Sequence, residues 1–529
     1  MPMGTKNASR LTTWLAVAVA TAMPGAAIAQ QKVLRVVPAT DLKVIDPFQT
    51  TAMASKMHSA LVYDQLFGWD EKMAAQPQMV EAYSVSPDGL KYAFRLRPGL
   101  KFHDGTPVTS ADVIPSIKRL YATDTLAQKL ADLTASIEAV DDRSFTLTLK
   151  EPYPWVEFSL GGVHNTTGIM RKQEATVDPG TAVTESIGSG PFRFVKSEWV
   201  PGAKIIWEKN PDYVPRTEPA SGMAGGKVVK VDRLEFLIIP DPATQFAALT
   251  KGEVDYIEEP SLDLIPTVEK NPDIVTGQVF PLGFYGVIRP NALHPPFNNV
   301  KARQALQYMV DQREYAAAAF GSEKFWRTCY SYWICGGPNG SEVGSDGFRK
   351  PDLEKAKQLL AESGYKGEKI VLMDPGDLPM YHALTLVTIE RMRKIGFNVD
   401  VQAMDWGGIT ARRAKKDPPD AGGWNIFHTT TGAAPMSSPL TSVVTSLTCD
   451  GKNWVGWPCD EQAEKLRDQF VRETDQAKRM KILDQLNARL WEVAPLILLG
   501  QYDQPFVWRK NVTGVLKTSI PVFWNIDKS

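Results

Sequence analysis

A two-lobed α/β protein is the fold class this sequence predicts, and three observations predict it. Strand and helix signals alternate along the chain, and one stretch spells out a complete β-α-β unit. At 529 residues the chain also exceeds what a single hydrophobic core organises.

The elements follow in order. Lys6 and Arg10 precede an apolar run from Leu11 to Ala22, and Ala27-Ile28-Ala29 offers small residues at the two positions a signal peptidase reads. Residues 1–29 therefore read as a signal peptide cleaved before Gln30, which predicts export and a periplasmic protein. The apolar run is about a dozen residues, against the roughly 20 of a membrane-spanning helix. Phe94, Leu96 and Leu100 alternate with polar residues, as does Phe145 to Leu149, so both stretches read as half-buried strands. Between them a helix is capped by Ser110 or Asp112, with Val113, Ile117 and Leu120 on one face and Pro115 near its start. Gly188-Ser189-Gly190-Pro191 forms a turn before a hairpin that holds Phe192, Phe194 and the stretch from Trp199 to Trp207.

The second half is richer in helix. Asn299 caps a helix whose Ala302, Ala305, Leu306 and Met309 share a stripe. Asp352 caps another, with Leu353, Ala356, Leu359 and Leu360 inward and Gly364 at its end. A strand at Ile370 to Met373, a helix from Pro379 to Lys394 and a strand with Phe397, Val399 and Val401 on one face complete the β-α-β unit.

Composition narrows the partners. The chain is 43% hydrophobic and 22% charged, and loss of Lys6 and Arg10 with the signal takes the formal charge from −1 to −3. Such a surface argues against nucleic acid and anionic membranes, which reward an excess of Lys and Arg. The four cysteines form two local pairs, Cys329 with Cys335 and Cys449 with Cys459, and an oxidising compartment predicts two disulfides. Neither pair has zinc-site spacing and no histidine lies within either loop, so no metal is expected.

Enzyme signatures are absent. There is no HExxH, GxSxG or GxxxxGK[ST] pattern, and Ser221-Gly222-Met223-Ala224-Gly225-Gly226-Lys227 lacks the first Gly and the closing Ser or Thr of a phosphate loop. The six histidines are scattered singly, among them His164, and Asp141-Asp142 and Glu258-Glu259 read as solvated pairs. No catalysis and no cofactor is expected.

Against this background a set of short motifs resembles the family 5 extracellular solute-binding proteins, the peptide-, nickel- and opine-type receptors of ABC importers. They are Leu61-Val62-Tyr63-Asp64-Gln65-Leu66, Ser86-Pro87-Asp88-Gly89-Leu90, Gly99-Leu100-Lys101-Phe102-His103-Asp104-Gly105 and Pro107-Val108-Thr109-Ser110-Ala111-Asp112-Val113. Further pieces, Asn210-Pro211-Asp212-Tyr213, Arg303-Gln304-Ala305-Leu306 and Ala494-Pro495-Leu496, continue the order through the mature chain. The resemblance implies a periplasmic-binding-protein clamshell with an additional α/β domain on one lobe. It places lobe I at 30–75, 186–278 and 500–529, the extra domain at 76–185 and lobe II at 279–499. It also implies a monomer that captures a small organic or peptide-like ligand and delivers it to an inner-membrane permease.

The ligand pattern departs from peptide-binding relatives. Their strand ending in Gly-Trp is followed by an Asp that pairs with the peptide amine, whereas here the corresponding positions fall near Thr429, Thr430 and Ala433. Dipeptide receptors carry an Arg for the peptide carboxylate where this chain has Asp374-Pro375-Gly376-Asp377-Leu378. Loss of both anchors points away from free dipeptides, toward a modified peptide, an opine-like conjugate or a carboxylated small molecule. Trp406 and Arg413 match a pocket Trp and Arg of oligopeptide receptors. Arg327 is a second candidate anion anchor, Tyr285 and Trp333 are candidate stacking surfaces, and His428, Thr429 and Thr430 candidate polar contacts. An ordinary peptide receptor with relocated anchors and a chemosensory partner remain the alternatives, with a nickel-chelate receptor behind them.

Overall fold

The strand Val33–Val37 is apolar at nearly every position and sits in the middle of a mixed seven-stranded sheet, parallel to Arg233–Leu237 and to Tyr256–Ile257. Lys204–Lys209 and Phe192–Phe194 extend it on one side, and Pro505–Arg509 and Ile274–Gln278 on the other. Both faces are covered, by a cluster around Trp207, Phe236, Tyr256 and Phe523 and by a smaller one around Phe246, Leu249 and Val507. This sheet organises the first lobe. The computed structural model describes residues 31–50, 52–162, 168–433 and 435–529, so the expected signal peptide, with the cleavage expected before Gln30, and His164 lie outside the described residues.

The second lobe is built on a six-stranded sheet ordered Trp326–Arg327, Ile497–Tyr502, Phe284–Pro290, Ile426–Gly432, Lys369–Pro375 and Asn398–Met404. Its last two strands are parallel and joined by the helix Pro379–Ile395, which is the β-α-β unit the sequence spells out. Helices Val300–Tyr308, Gln312–Phe320 and Leu353–Glu362 join that helix over one face, burying Ile288, Leu372, Ile426 and Leu499. Asn299 and Asp352 cap their helices as expected, through bonds to the N–H groups of Lys301 and Lys355. The opposite face carries Tyr285, Val287 and Leu498, packed with Leu486 and Trp491 of the helix Gln476–Val493.

A four-stranded antiparallel sheet, Val80–Val85, Lys91–Leu96, Ser144–Leu149 and Thr134–Asp141, forms the additional domain with helices Ser110–Thr123 and Thr125–Leu133. The cap of the first helix is Thr109, one residue before the expected Ser110. Asp112 sits at the third helical position and closes a capping box on the Thr109 N–H at 3.0 Å. Asp64, fully buried, pairs within the first lobe with Lys227 at 2.8 Å and accepts the Tyr213 hydroxyl at 3.0 Å, and Arg97 of the additional domain reaches it at 3.9 Å, which ties that domain to the first lobe.

Between the two large sheets the chain passes twice, once between Gln278 and Phe284 and once between Tyr502 and Pro505. The strand Ile497–Tyr502 belongs wholly to the second sheet, so the return crossover is Asp503-Gln504 and the expected boundary at 499/500 cuts through a strand.

Candidate functional site

Two adjoining chambers lie where the lobes face each other, and they share Lys56 and Pro435. The larger, of about 640 Å³, is lined by Lys56, by Thr123 and Asp124 at the end of the extra domain's first helix, by Thr430 and Thr431, and by the segment from Val443 to Trp454. The smaller, of about 170 Å³, is apolar: Met53, Trp69, Met73, Phe280, Phe284 and Ile520 line it, with Asp70 and Glu71 among its polar groups.

Position along the strand, more than the alternation of its faces, decides which threonines reach the cleft. Along Ile426–Gly432, one row of side chains faces the helix Pro379–Ile395. His428 is bonded there at both ring nitrogens, to Thr385 at 3.0 Å and Thr388 at 2.8 Å, and Thr430 meets the Tyr381 hydroxyl at 2.9 Å. Thr430, nearer the end of the strand, and Thr431 of the other row both line the larger chamber, whereas Thr429 is 6% exposed and lies behind them. Beyond the strand the described positions Ala433 and Pro435 carry no carboxylate.

The described residues of the segment from 433 to 460 form neither helix nor strand, yet they make one wall of the larger chamber. Three devices hold it. Cys449–Cys459 closes it covalently. Arg289, fully buried, donates to the carbonyls of Val444, Trp454, Val455 and Pro495 at 2.6–3.2 Å. Arg467 donates to the carbonyls of Pro439, Ser442 and Thr445. Five planar donors on a guanidinium suit this use, because irregular backbone presents carbonyls that no ladder satisfies. Burial pushes the Arg289 guanidinium down to about 9, with Arg303 adding to the effect.

Beside Trp454 sits Arg413, at the C-terminal end of the short helix Trp406–Arg412. Its guanidinium lies 5.4 Å from the ring centre of Trp406, 5.5 Å from Phe427 and 5.8 Å from Trp454. Tyr381 packs on Trp406 at 4.9 Å and joins this cage to Thr430. Burial pulls the Arg413 charge down from the ordinary guanidinium range, and Tyr381 opposes it. Among the described residues no carboxylate pairs with Arg413. Asp377 has another duty: it accepts the Trp406 N–H at 2.9 Å and so fixes the start of that helix.

The structure thus brings together Trp406, Arg413, Thr430 and, one layer back, Thr429. Contrary to the sequence expectation, it places Tyr285, Trp333 and His428 in the interior and turns Arg327, which is partly exposed, to a protein carboxylate. Tyr285 is fully buried with its hydroxyl on the Ser331 carbonyl at 2.9 Å, and Trp333 is fully buried in the same core. His428 is turned to the helix side of its sheet. Arg327 spends its charge on Asp503 at 2.6 Å. Both disulfides are present, and Cys329–Cys335 anchors the core loop that holds Tyr285 and Trp333 rather than a cleft wall.

Sequence reasoning missed Lys56, Asp124 and Trp454. Lys56 and Asp124 face each other across 68 residues of chain, and burial holds the Lys56 ammonium down at about 8 even though Asp124 opposes the shift. Glu259 is exposed by area but crowded by surrounding protein near Tyr381 and Tyr502, and that desolvation pushes its carboxyl up.

Comparison with known proteins fits this architecture. The profile of the bacterial extracellular solute-binding proteins, family 5 Middle, matches residues 74–454. The probable peptide ABC transporter periplasmic-binding protein y4tO of Sinorhizobium fredii is 38% identical over 516 residues, which are 95% of this chain and 94% of that protein. The glutathione-binding protein GsiB of Pectobacterium atrosepticum is 26% identical, over 89% of this chain and 88% of its own. Among solved structures, the PBP AgaA in complex with agropinic acid, from A. tumefacien R10, superposes with a TM-score of 0.76 at 24% identity, over 94% of this chain and 99% of its own. DppA from Helicobacter pylori in complex with the peptide STSA gives 0.77 at 21% identity, over 94% and 98%. Two sheet-based lobes joined by two crossovers, an added antiparallel domain and a chambered cleft are thus accompanied by a match over most of the sequence, and the chain belongs to the bacterial extracellular solute-binding proteins, family 5.

Proposed function

We propose that this protein is the periplasmic capture component of an ABC importer, and that its cleft takes an organic solute bearing a carboxylate, which Arg413 holds. The observation that carries the ligand class is the Arg413 cage: a half-buried guanidinium framed by three aromatic rings, beside the larger chamber, with no carboxylate of the described residues on it. Such a group is paid for only when an anion completes it, and its planar fork suits the two oxygens of a carboxylate. Capture would then proceed without covalent chemistry. The solute seats between the lobes, closure removes water from its polar contacts, and the closed surface docks on a membrane permease. Lobe I at 30–75, 186–278 and the C-terminal segment, with the extra domain at 76–185, belongs to this reading, and sheet membership supports it with the return crossover moved to Asp503-Gln504.

A short peptide is the second reading. It is favoured by the Sinorhizobium relative, named for peptide transport, and by the peptide bound to the Helicobacter structure. A thermal-shift screen of protein stripped of carried-over ligand separates the two, with opines, N-acyl amino acids, glutathione, tetrapeptides and sugars as probes. A ligand at a hundred times its dissociation constant stabilises by about 2.7 kcal/mol. Midpoints raised by non-peptide carboxylates are expected; a response confined to plain peptides would establish the second reading, and a response confined to sugars would remove both.

A further inference from the structure

The smaller chamber has no task in a site that Arg413 alone would explain. It adjoins the larger one, with Lys56 and Pro435 lining both, so a solute held at the Arg413 end beside Trp454 can continue into it. Its walls come from three places. Met53 and Ile520 belong to the apolar packing of the first lobe, Phe284 and Gly432 are paired residues of neighbouring strands in the second, and Phe280, Pro281 and Gly283 lie in the pass between them.

These walls are fixed by their own packing. Phe280 meets Phe284 edge to face at 5.0 Å and Phe506 at 5.4 Å, and Trp69 packs on Phe158 at 4.1 Å. The two acids at the chamber make no demand on a ligand. Asp70 accepts the N–H groups of Lys72 and Ala74, each at 2.9 Å, and the Gln76 amide at 3.0 Å, while Glu71 is exposed to solvent. Water meets few hydrogen-bond partners on such a lining, so an apolar group that displaces it gains free energy with each carbon buried. At about 170 Å³, and roughly 30 Å³ for a group the size of a water molecule, the chamber takes about six carbon atoms.

We propose that the smaller chamber is an apolar subsite and that the solute is amphipathic, with a carboxylate held by Arg413 at one end and an apolar group of about six carbons at the other, seated between Met53, Phe280 and Phe284. This rests on the reading of the cleft as a carboxylate site. Because both lobes and the first pass wall the chamber, the apolar group is fully buried only when the lobes stand together, which gives the ligand its preference for the closed state.

Calorimetry on the full chain, stripped of carried-over ligand, tests this with N-acyl derivatives of glycine and triglycine from acetyl to octanoyl. Each is measured beside its C-terminal amide, and Leu-Gly-Gly-Gly beside tetraglycine. Affinity is expected to rise about threefold per methylene up to about six acyl carbons and then to level off. Met53→Gln, which sets a polar amide on the wall, should cut the hexanoyl-to-acetyl affinity ratio by about fivefold or more. Ala433→Phe, whose ring would fill the chamber, is the companion variant if the Gln form melts early. A gain confined to the acyl series makes the group an acyl chain, and a gain confined to Leu-Gly-Gly-Gly makes it an amino-acid side chain; either supports the subsite. Affinity independent of the apolar group, or a gain that both variants leave intact, overturns the subsite and leaves a carboxylate site at Arg413 standing. Amides that bind as tightly as the acids, with the chain-length gain retained, overturn the carboxylate reading and leave the apolar subsite standing. Failure of every probe overturns both.

Discussion

Arg327 and Arg413 are both candidate anion anchors in the sequence, and their tertiary partners separate them. Asp503, 176 positions away from Arg327, consumes one charge, and no described carboxylate meets the other. Arg413→Met is therefore expected to weaken ligand binding by about 2 to 5 kcal/mol. The unliganded melting point should stay the same or rise, because a desolvated cation leaves; calorimetry and a melting curve on one preparation check both. His428 illustrates the opposite outcome, a polar residue in a promising strand that proves to be a satisfied core group. Burial holds its ring at about 3, and that of His58, bonded to Ser186 at 2.6 Å, also at about 3. Below the unfolded value near 6.5 the unfolded chain takes up these protons and the folded chain does not, so stability falls as pH drops from about 6.5 toward 3. Each histidine contributes roughly 1.4 kcal/mol per pH unit in that window. Denaturation of wild type and His428→Gln at pH 7, 5.5 and 4.5 should show the gap between them narrowing by about that slope; a constant gap would mean that the ring is charged in the fold.

Regular elements were legible in sequence because their signals are local. Asn299, Asp352 and the Pro379 helix fall where caps and apolar spacing put them, and the one displaced cap, Thr109, moved by a single residue. The segment from 433 to 460 gave no such signal, since nothing periodic marks a wall held by guanidinium-to-carbonyl bonds from Arg289 and Arg467. Its order depends on partners more than a hundred residues away, as with Arg289 and Val455. Replacing Arg289 with Met should strand several buried carbonyls and destabilise the protein by about 2 to 4 kcal/mol. Ligand affinity should fall as well, because the chamber wall loses its preorganisation. Hydrogen exchange localised to 440–459 is the decisive readout, and unchanged protection there would show that the disulfide alone suffices.

The two lobes are built on two sheets joined by two short passes, and the cleft they bound is assembled from residues that are remote in sequence. Lys56, Asp124, Thr430 and Trp454 share a chamber although no window of the chain contains two of them within twenty residues of each other. Fold class and family were thus readable from motifs, whereas the candidate site was readable in part, at Trp406, Arg413 and Thr430. Within the first pass, Gly283 has φ +65°, and a Cβ placed there would lie 2.1 Å from the Tyr502 carbonyl oxygen of the second. Gly283→Ala is expected to cost about 1 to 3 kcal/mol and to change the ligand-dependent contraction seen by small-angle scattering; the same contraction as wild type would place the bending elsewhere.

Because the passes are paired side by side, relative motion of the lobes is restricted mainly to a bend about one axis, with twisting and sliding held back by the second tether. A solute that lands on either lobe then meets the other after a one-dimensional search. The rate at which the protein traps its cargo should accordingly follow solvent friction on a single swinging body, and depend little on how the cargo first arrives.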